Sequence, residues 1–357
     1  MSDLSSGDLP ATASLGPTNA GPIPVDAGAA PAVWTTGAFW RQIGLLVAFA
    51  VLCLVGVLSA GGRFASVDNA LVILRLAAII GVISVGMTFV ITAAGIDLSV
   101  GANAALASVM ASSVGVQKWS NDHHWIAIVA VALFFGALVG LVNGVLIAYG
   151  KVVPFITTLA MLASARGLAE IKSNRKTQIA DVRAFEEFFN RAPIPIPFTG
   201  KALPMIVVVF VLVAAAGWVL LNRTTFGRRT FAVGGNPEAA RLAGINVRRH
   251  TVLLYVLLGV CCGIAAVLII VRTTTGSATH GQLWELDAIA AVVIGGTLLS
   301  GGRGSITGTV IGVIIFSTLT NVFTLNNLSI SAQNVAKGAV IVAAVLLQQL
   351  VASRSDR

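Results

Sequence analysis

AAIIGVISVGMTFVITAAGIDLSVGANAALAS, residues 77–108, is apolar almost throughout and is interrupted once, at Gly95-Ile96-Asp97-Leu98-Ser99. It forms the middle of a run from 69 to 116. A helix needs about 20 apolar residues to cross the hydrocarbon of a bilayer. The run therefore holds two crossings, with GIDLS as the turn between them. Once this stretch is a pair of membrane helices, the remaining apolar runs divide in the same way.

Working outward gives runs at 42–60, 69–94, 99–116, 125–149, 153–169, 204–222, 251–271, 286–299, 306–323 and 332–350. The fold expected is all-α, a polytopic membrane protein with about ten transmembrane helices spread over residues 41–351. The run at 286–299 is short and glycine-rich, so it either spans or re-enters as a broken helix. Composition agrees: of 357 residues 56% are hydrophobic and 10% charged, with mean hydropathy +0.91. A net charge of +9 points to nucleic acid only when the basic residues share a surface, and here they punctuate apolar runs. Cys53, Cys261 and Cys262 all fall inside apolar runs and form neither a disulfide framework nor a metal pattern.

Residues 1–40 read as a disordered cytoplasmic tail, rich in Pro, Ala, Gly and Ser, with neither the basic start nor the early apolar core of a signal peptide. Residues 352–357 read as a second cytoplasmic tail. An even number of spans puts both termini on one side. With that side inside, inner segments carry eleven Lys and Arg and outer ones nine, six of the nine in the long loop 170–203. Long loops count for less in the positive-inside rule, so inside termini are favoured. In the long loop, Ile179, Val182, Phe185 and Phe189 recur at helical spacing. They define an amphipathic helix that either packs on its own protein or meets the membrane surface or an external partner.

No glycine-rich loop ending GK[ST] is present: Gly150-Lys151 precedes Val152 and Gly200-Lys201 precedes Ala202. No catalytic motif or metal-ligand spacing appears, and the adjacent His123 and His124 do not make one. The expectation is a transport subunit without catalytic residues, metal or cofactor of its own. Acids near the membrane are few: Asp97, Glu170, Glu285 and Asp287. Asp97 is placed to cap the helix after it, the alternative being a proton relay.

Between the runs 204–222 and 251–271 lies GGNPEAARLAGINVRRH, Gly234 to His250. Asn236 suits an N-cap, Pro237 the first helical position, Glu238 the positive end of the helix dipole, and Gly244 the left-handed C-terminal turn. A two-turn helix is expected over Pro237 to Ala243, with Ala239, Leu242 and Ala243 on one face. A chain lacking its own nucleotide site and most ion-coupling groups needs an external energy source. A short capped helix between two spans is either a docking element for a separate ATPase or an ordinary connector.

Three stretches carry a resemblance: GMTFVITAAGIDLSVG (Gly86 to Gly101), FAVGGNPEAARLAGINV (Phe231 to Val247) and ELDAIAAVVIGGTLLSGGRGSITGTVIG (Glu285 to Gly312). In order and spacing, and with KVVPFITTLAMLASARG (Lys151 to Gly167), they resemble the ribose-type permeases of bacterial ABC importers for monosaccharides, over about residues 42–350. The resemblance implies a fold like the type II ABC importer permeases. It also implies a second permease subunit, as a homodimer or a pair with a relative, a cytoplasmic ABC ATPase that binds ATP and Mg, and an extracytoplasmic sugar-binding protein. The location it implies is the bacterial plasma membrane with both termini cytoplasmic.

Within segment 234–247, Gly234, Gly235, Asn236, Pro237, Glu238, Arg241 and Gly244 match the family's ATPase-coupling segment, and Leu242 shares its exposed face. For the translocation pathway the candidates are Asp97, Ser99, Asn143, Phe155, Thr157, Thr158, Gly295, Gly296 and Thr297. Small polar groups can hold a sugar weakly enough to release it, although Ser and Thr also bond back to their own helix. An ion-coupled sugar carrier and a branched-chain amino acid permease are the competing functions. VITAAGIDLSVG (Val90 to Gly101) and VIGGTLLSGG (Val293 to Gly302) echo each other faintly, as the two halves of a repeated transporter would.

Overall fold

The computed structural model describes residues 36–190, 194–197 and 199–355. Most of the tail expected over 1–40, and the last two residues of the tail expected over 352–357, lie outside the described residues. The chain divides into two units, Met1–Trp40 and Arg41–Arg357, and the second carries everything below.

Its helices are α1 (Thr36–Ala60), α2 (Val67–Thr92), α3 (Val100–Ala111), α4 (Val114–Asp122), α5 (Ile126–Ala148), α6 (Pro154–Ser173) and α7 (Arg183–Asn190). Then come α8 (Met205–Arg223), α9 (Thr225–Gly235), α10 (Pro237–Leu242), α11 (Val247–Thr273), α12 (Trp284–Ile294), α13 (Ile306–Leu325) and α14 (Ile330–Ser355). Each of the ten apolar runs contains a helix, but the run 99–116 is divided between α3 and the start of α4, and the run 286–299 is helical only as far as Ile294. α1 begins and α14 ends inside the stretches read as tails, because the helical pattern continues into them. Among the described residues six helices are long and apolar enough to cross a membrane: Ile43–Arg63, Val67–Thr92, Ile126–Ala148, Met205–Arg223, Val247–Thr273 and Ile306–Leu325.

Four helix starts show how local chemistry sets these boundaries. Ser66, Thr224, Asn246 and Ser305 each accept a hydrogen bond from the backbone N–H three residues on, which satisfies one of the free donors of the first turn. α2 and α11 are buried along much of their length and form the centre, together with Phe89, Tyr255 and Leu258. α5 crosses α11 at Gly136, Gly140, Gly259 and Gly263, where a Cβ on Gly259 would overlap the Gly136 carbonyl. Without side chains at the crossing the two backbones touch, which is how apolar helices gain packing energy in lipid.

Two of the runs are only half helical. α3 has 12 residues and is preceded by the irregular stretch 93–99; α12 has 11 and is preceded by the loop 274–283. Gly276 packs on Ser108 and Ser112 near the end of α3, whereas Gly281 packs on Gly101 in its first turn. From the rise of α3, the loop descends roughly 10–16 Å through the bundle between these contacts. α12 then continues for about 16 Å and brings Gly295 against Gly308 at the start of α13. The short run at 286–299 is thus helical only in its first part, after a loop that is not. The structural counterpart of the GIDLS stretch is the loop 274–283, and not the segment 293–302 that echoes it in sequence.

The long loop corrects one expectation. Ile179 belongs to strand β1 (Gln178–Ile179), paired antiparallel with β4 (Thr275–Gly276), while β2 (Ile194–Ile196) pairs with β3 (Lys201–Leu203). The helix starts only at Arg183. Val182, Phe185 and Phe189 pack on the chain itself around Trp125, with the Phe185 and Trp125 ring centroids 6.1 Å apart.

Candidate functional site

The capped helix forms as its sequence dictates. Asn236 Oδ1 accepts from the backbone N–H of Glu238 and of Ala239, both at 3.0 Å. Pro237 occupies the first position, and Gly244 has φ +82°. Ala243 is the C-cap instead of the last helical residue, because Gly244 and Ile245 already donate back to Arg241 and Ala240. Ala239, Leu242 and Ala243 are all exposed, and Leu242 is 80% exposed. Ala240 alone is buried. Arg241 and Glu238 pair at 3.0 Å on the surface, an interaction worth about 0–1 kcal/mol that a partner's charges can replace at little cost.

Behind this helix the chain is built from backbone. Gly234 is buried, and a Cβ there would overlap the Thr92 carbonyl at the end of α2. The same carbonyl accepts from Gly302 N–H at 2.9 Å, in the turn after α12. The three stretches singled out in the sequence therefore meet at one end of the bundle. An apolar cavity of about 250 Å³ lies beneath, lined among others by Val90, Ala94, Pro154, Val233, Pro237 and Tyr255.

The pathway candidates separate into groups. Asp97, Ser99 and Asn143 come together and are buried. Asp97 Oδ1 accepts from Ser99 N–H at 2.7 Å and from Ser99 Oγ–H at 2.6 Å. Asn143 Nδ2 donates to Ser99 Oγ at 2.9 Å and to Asp97 Oδ2 at 3.3 Å, while Tyr255 donates to Ile96 O at 3.1 Å. This network fastens the irregular stretch before α3 to α5 and α11. Thr157 and Thr158 are also buried and bond back to Val153 and Pro154 of their own helix. Gly295 serves the α12–α13 contact, Gly296 turns the chain with φ +88°, and buried Thr297 accepts from Ser305 N–H. Phe155 is half exposed on α6.

Asp97→Leu is expected to leave three buried donors without an acceptor, each costing about 1–3 kcal/mol. Asp97→Asn keeps one acceptor for Ser99. Thermal unfolding in detergent should show a large fall for the leucine variant and a small one for asparagine; a leucine variant as stable as the native chain would show the network to be idle.

A sequence profile described as a branched-chain amino acid transport system / permease component matches residues 69–345. The chain belongs to this permease family. Ribose import permease protein RbsC of Bacillus subtilis (strain 168) is 44% identical over 283 residues, 79% of this chain and 84% of that protein. Fructose import permease protein FrcC of Rhizobium meliloti is 39% identical over 274 residues, 76% of this chain and 72% of that protein. Galactose/methyl galactoside import permease protein MglC of Escherichia coli (strain K12) is 32% identical over 326 residues, 88% of this chain and 96% of that protein. No solved structure matches the chain significantly.

Two features of this permease escaped the sequence. Arg166 of α6 donates through Nη1 to the carbonyls of Ala278 and His280 and through Nη2 to that of Gly281, so it holds the descending loop more than a hundred residues away. Lys337 of α14 pairs with Asp287 of α12 at 3.1 Å, both side chains largely buried, and lies over the Phe316 ring. The one local signal was a charge inside an apolar run, which marks a position that needs a partner.

Proposed function

We propose that this chain is the membrane permease subunit of an ATP-driven importer for a monosaccharide or a related polyol. It forms the translocation pathway with a second permease subunit, in a homodimer, and performs no covalent chemistry. ATP and Mg are bound by a cytoplasmic ABC ATPase, and an extracytoplasmic sugar-binding protein delivers the cargo. Although the family is described by branched-chain amino acids, the relatives above are named for ribose, fructose and galactose, which favours sugar.

The observation that carries this reading is α10: its exposed apolar face is offered to a partner, and its buried Ala240 side packs on α9 and α11, the former ending in Gly234 against Thr92 and Gly302. Exposed Arg223, Arg228, Arg229, Arg241, Arg248, Arg249 and Arg303 lie in and beside α9 and α10, at the adjoining ends of α8 and α11 and in the turn after α12, as at a cytoplasmic surface. With ten crossings, two of them broken, both termini lie on that side of a bacterial plasma membrane. A ready docking face and the likeness to ABC import permeases disfavour an ion-coupled carrier.

The test is reconstitution with an ABC ATPase and a sugar-binding protein from the same source, followed by uptake of D-ribose, D-galactose and D-fructose. Uptake of one sugar that requires ATP is expected. Uptake driven by an ion gradient with no ATPase present would overturn the proposal.

A further inference from the structure

At about half depth in the bundle, the loop 274–283 and the first turn of α12 present polar groups that the coupling device does not use. Thr279 and Gln282 are exposed, and His280, Trp284 and Glu285 are half buried. Lipid at that depth penalises exposed amides and carboxylates, so such a face lies against a water-filled cavity or protein. The charges are organised. Arg166 spends its bonds on the loop carbonyls, which fixes the loop's path. Glu285 lies within electrostatic reach of Arg166. Its Oε2 also lies against Gly101 in the first turn of α3, where the helix dipole favours an anion and a side chain on residue 101 would crowd it. Gln282 makes no side-chain hydrogen bond among the described residues, and its amide offers both donor and acceptor.

Gln282, Trp284 and Glu285 follow one another at the break, with Trp284 packed on the core and part of its indole left exposed; an amide, a carboxylate and an indole are a set that suits a polyhydroxylated ring. Hydroxyls exchange bonds with the amide and carboxylate, while the C–H face packs on the aromatic. We infer that Gln282, Trp284 and Glu285 form a sugar-contact station at the break between loop and α12, with Arg166 as its positioning residue. The inference rests on the importer reading and names the side chains that cargo passes. It places recognition on the descending loop, away from the buried Asp97, Ser99 and Asn143.

The experiment uses the reconstituted complex and whichever of D-ribose, D-galactose and D-fructose the native chain takes up. Gln282→Ala and Glu285→Gln each remove one contact without a core cavity. Each is expected to lower uptake about tenfold while ATP hydrolysis stays within about twofold of native. Both variants transporting like the native chain would overturn the station. In a background with Cys53, Cys261 and Cys262 replaced by alanine, Gln282→Cys is expected to react with a charged, membrane-impermeant thiol reagent, and Leu346→Cys, exposed on an apolar stretch of α14, is not. If a variant loses uptake and hydrolysis together, this labelling decides: reaction at 282 supports the station and no reaction overturns it. A native complex whose uptake needs an ion gradient and no ATPase sinks the importer reading, whereas native uptake with both 282 and 285 variants unchanged sinks only the station.

Discussion

Leu242→Asp is expected to abolish sugar uptake in the reconstituted complex while the chain folds and inserts normally. Leu242 is 80% exposed, so the carboxylate costs the isolated subunit little. In a docked complex the same side chain fills an apolar contact. Burying an unpaired charge there costs about 2 kcal/mol or more, a factor of roughly 30 in binding. ATP hydrolysis should continue at a basal rate and stop responding to the sugar-loaded binding protein. Arg241→Glu is expected to act in the same direction, since it removes the pair with Glu238 and reverses the charge beside the contact. Normal uptake by the Leu242→Asp variant would remove α10 from the coupling path.

Gly259→Val should have the second largest effect, on the fold itself. Its side chain would enter the space of the Gly136 carbonyl at the crossing of α5 and α11, where the backbones already touch. Overpacking of this kind costs about 3 kcal/mol, which lowers a melting temperature by roughly 6–12 °C. Gly338→Val is the control, since nothing lies within 4 Å of a Cβ at that position. Melting in detergent, followed by size-exclusion profile, distinguishes them. Equal behaviour of the two variants would mean that the crossing yields more readily than the geometry requires.

What was legible in the sequence follows from range. All ten helical runs announce themselves through length and hydropathy, which are local properties. The cap at Asn236 and Pro237 is local too, and it appears where the residues place it. Misreadings arise where distant backbone decides. Ile179 fits a helical period with Val182, Phe185 and Phe189, yet its own backbone pairs with Thr275, nearly a hundred residues away. The Asp97–Asn143 and Arg166–loop contacts join residues with no periodic relation, so a single sequence carries no signal for them. The echo between 90–101 and 293–302 reflects similar small-residue composition, whereas the architectural match, loop before short helix, shares no wording.

The junction of Gly234, Thr92 and Gly302 is made almost wholly of main chain. Side chains absorb small displacements by changing rotamer, and at the Gly234–Thr92 and Thr92–Gly302 contacts backbone meets backbone. A displacement of a few tenths of an ångström at the end of α9 would therefore bear directly on the end of α2 and on the turn after α12, as in a gear train cut without backlash.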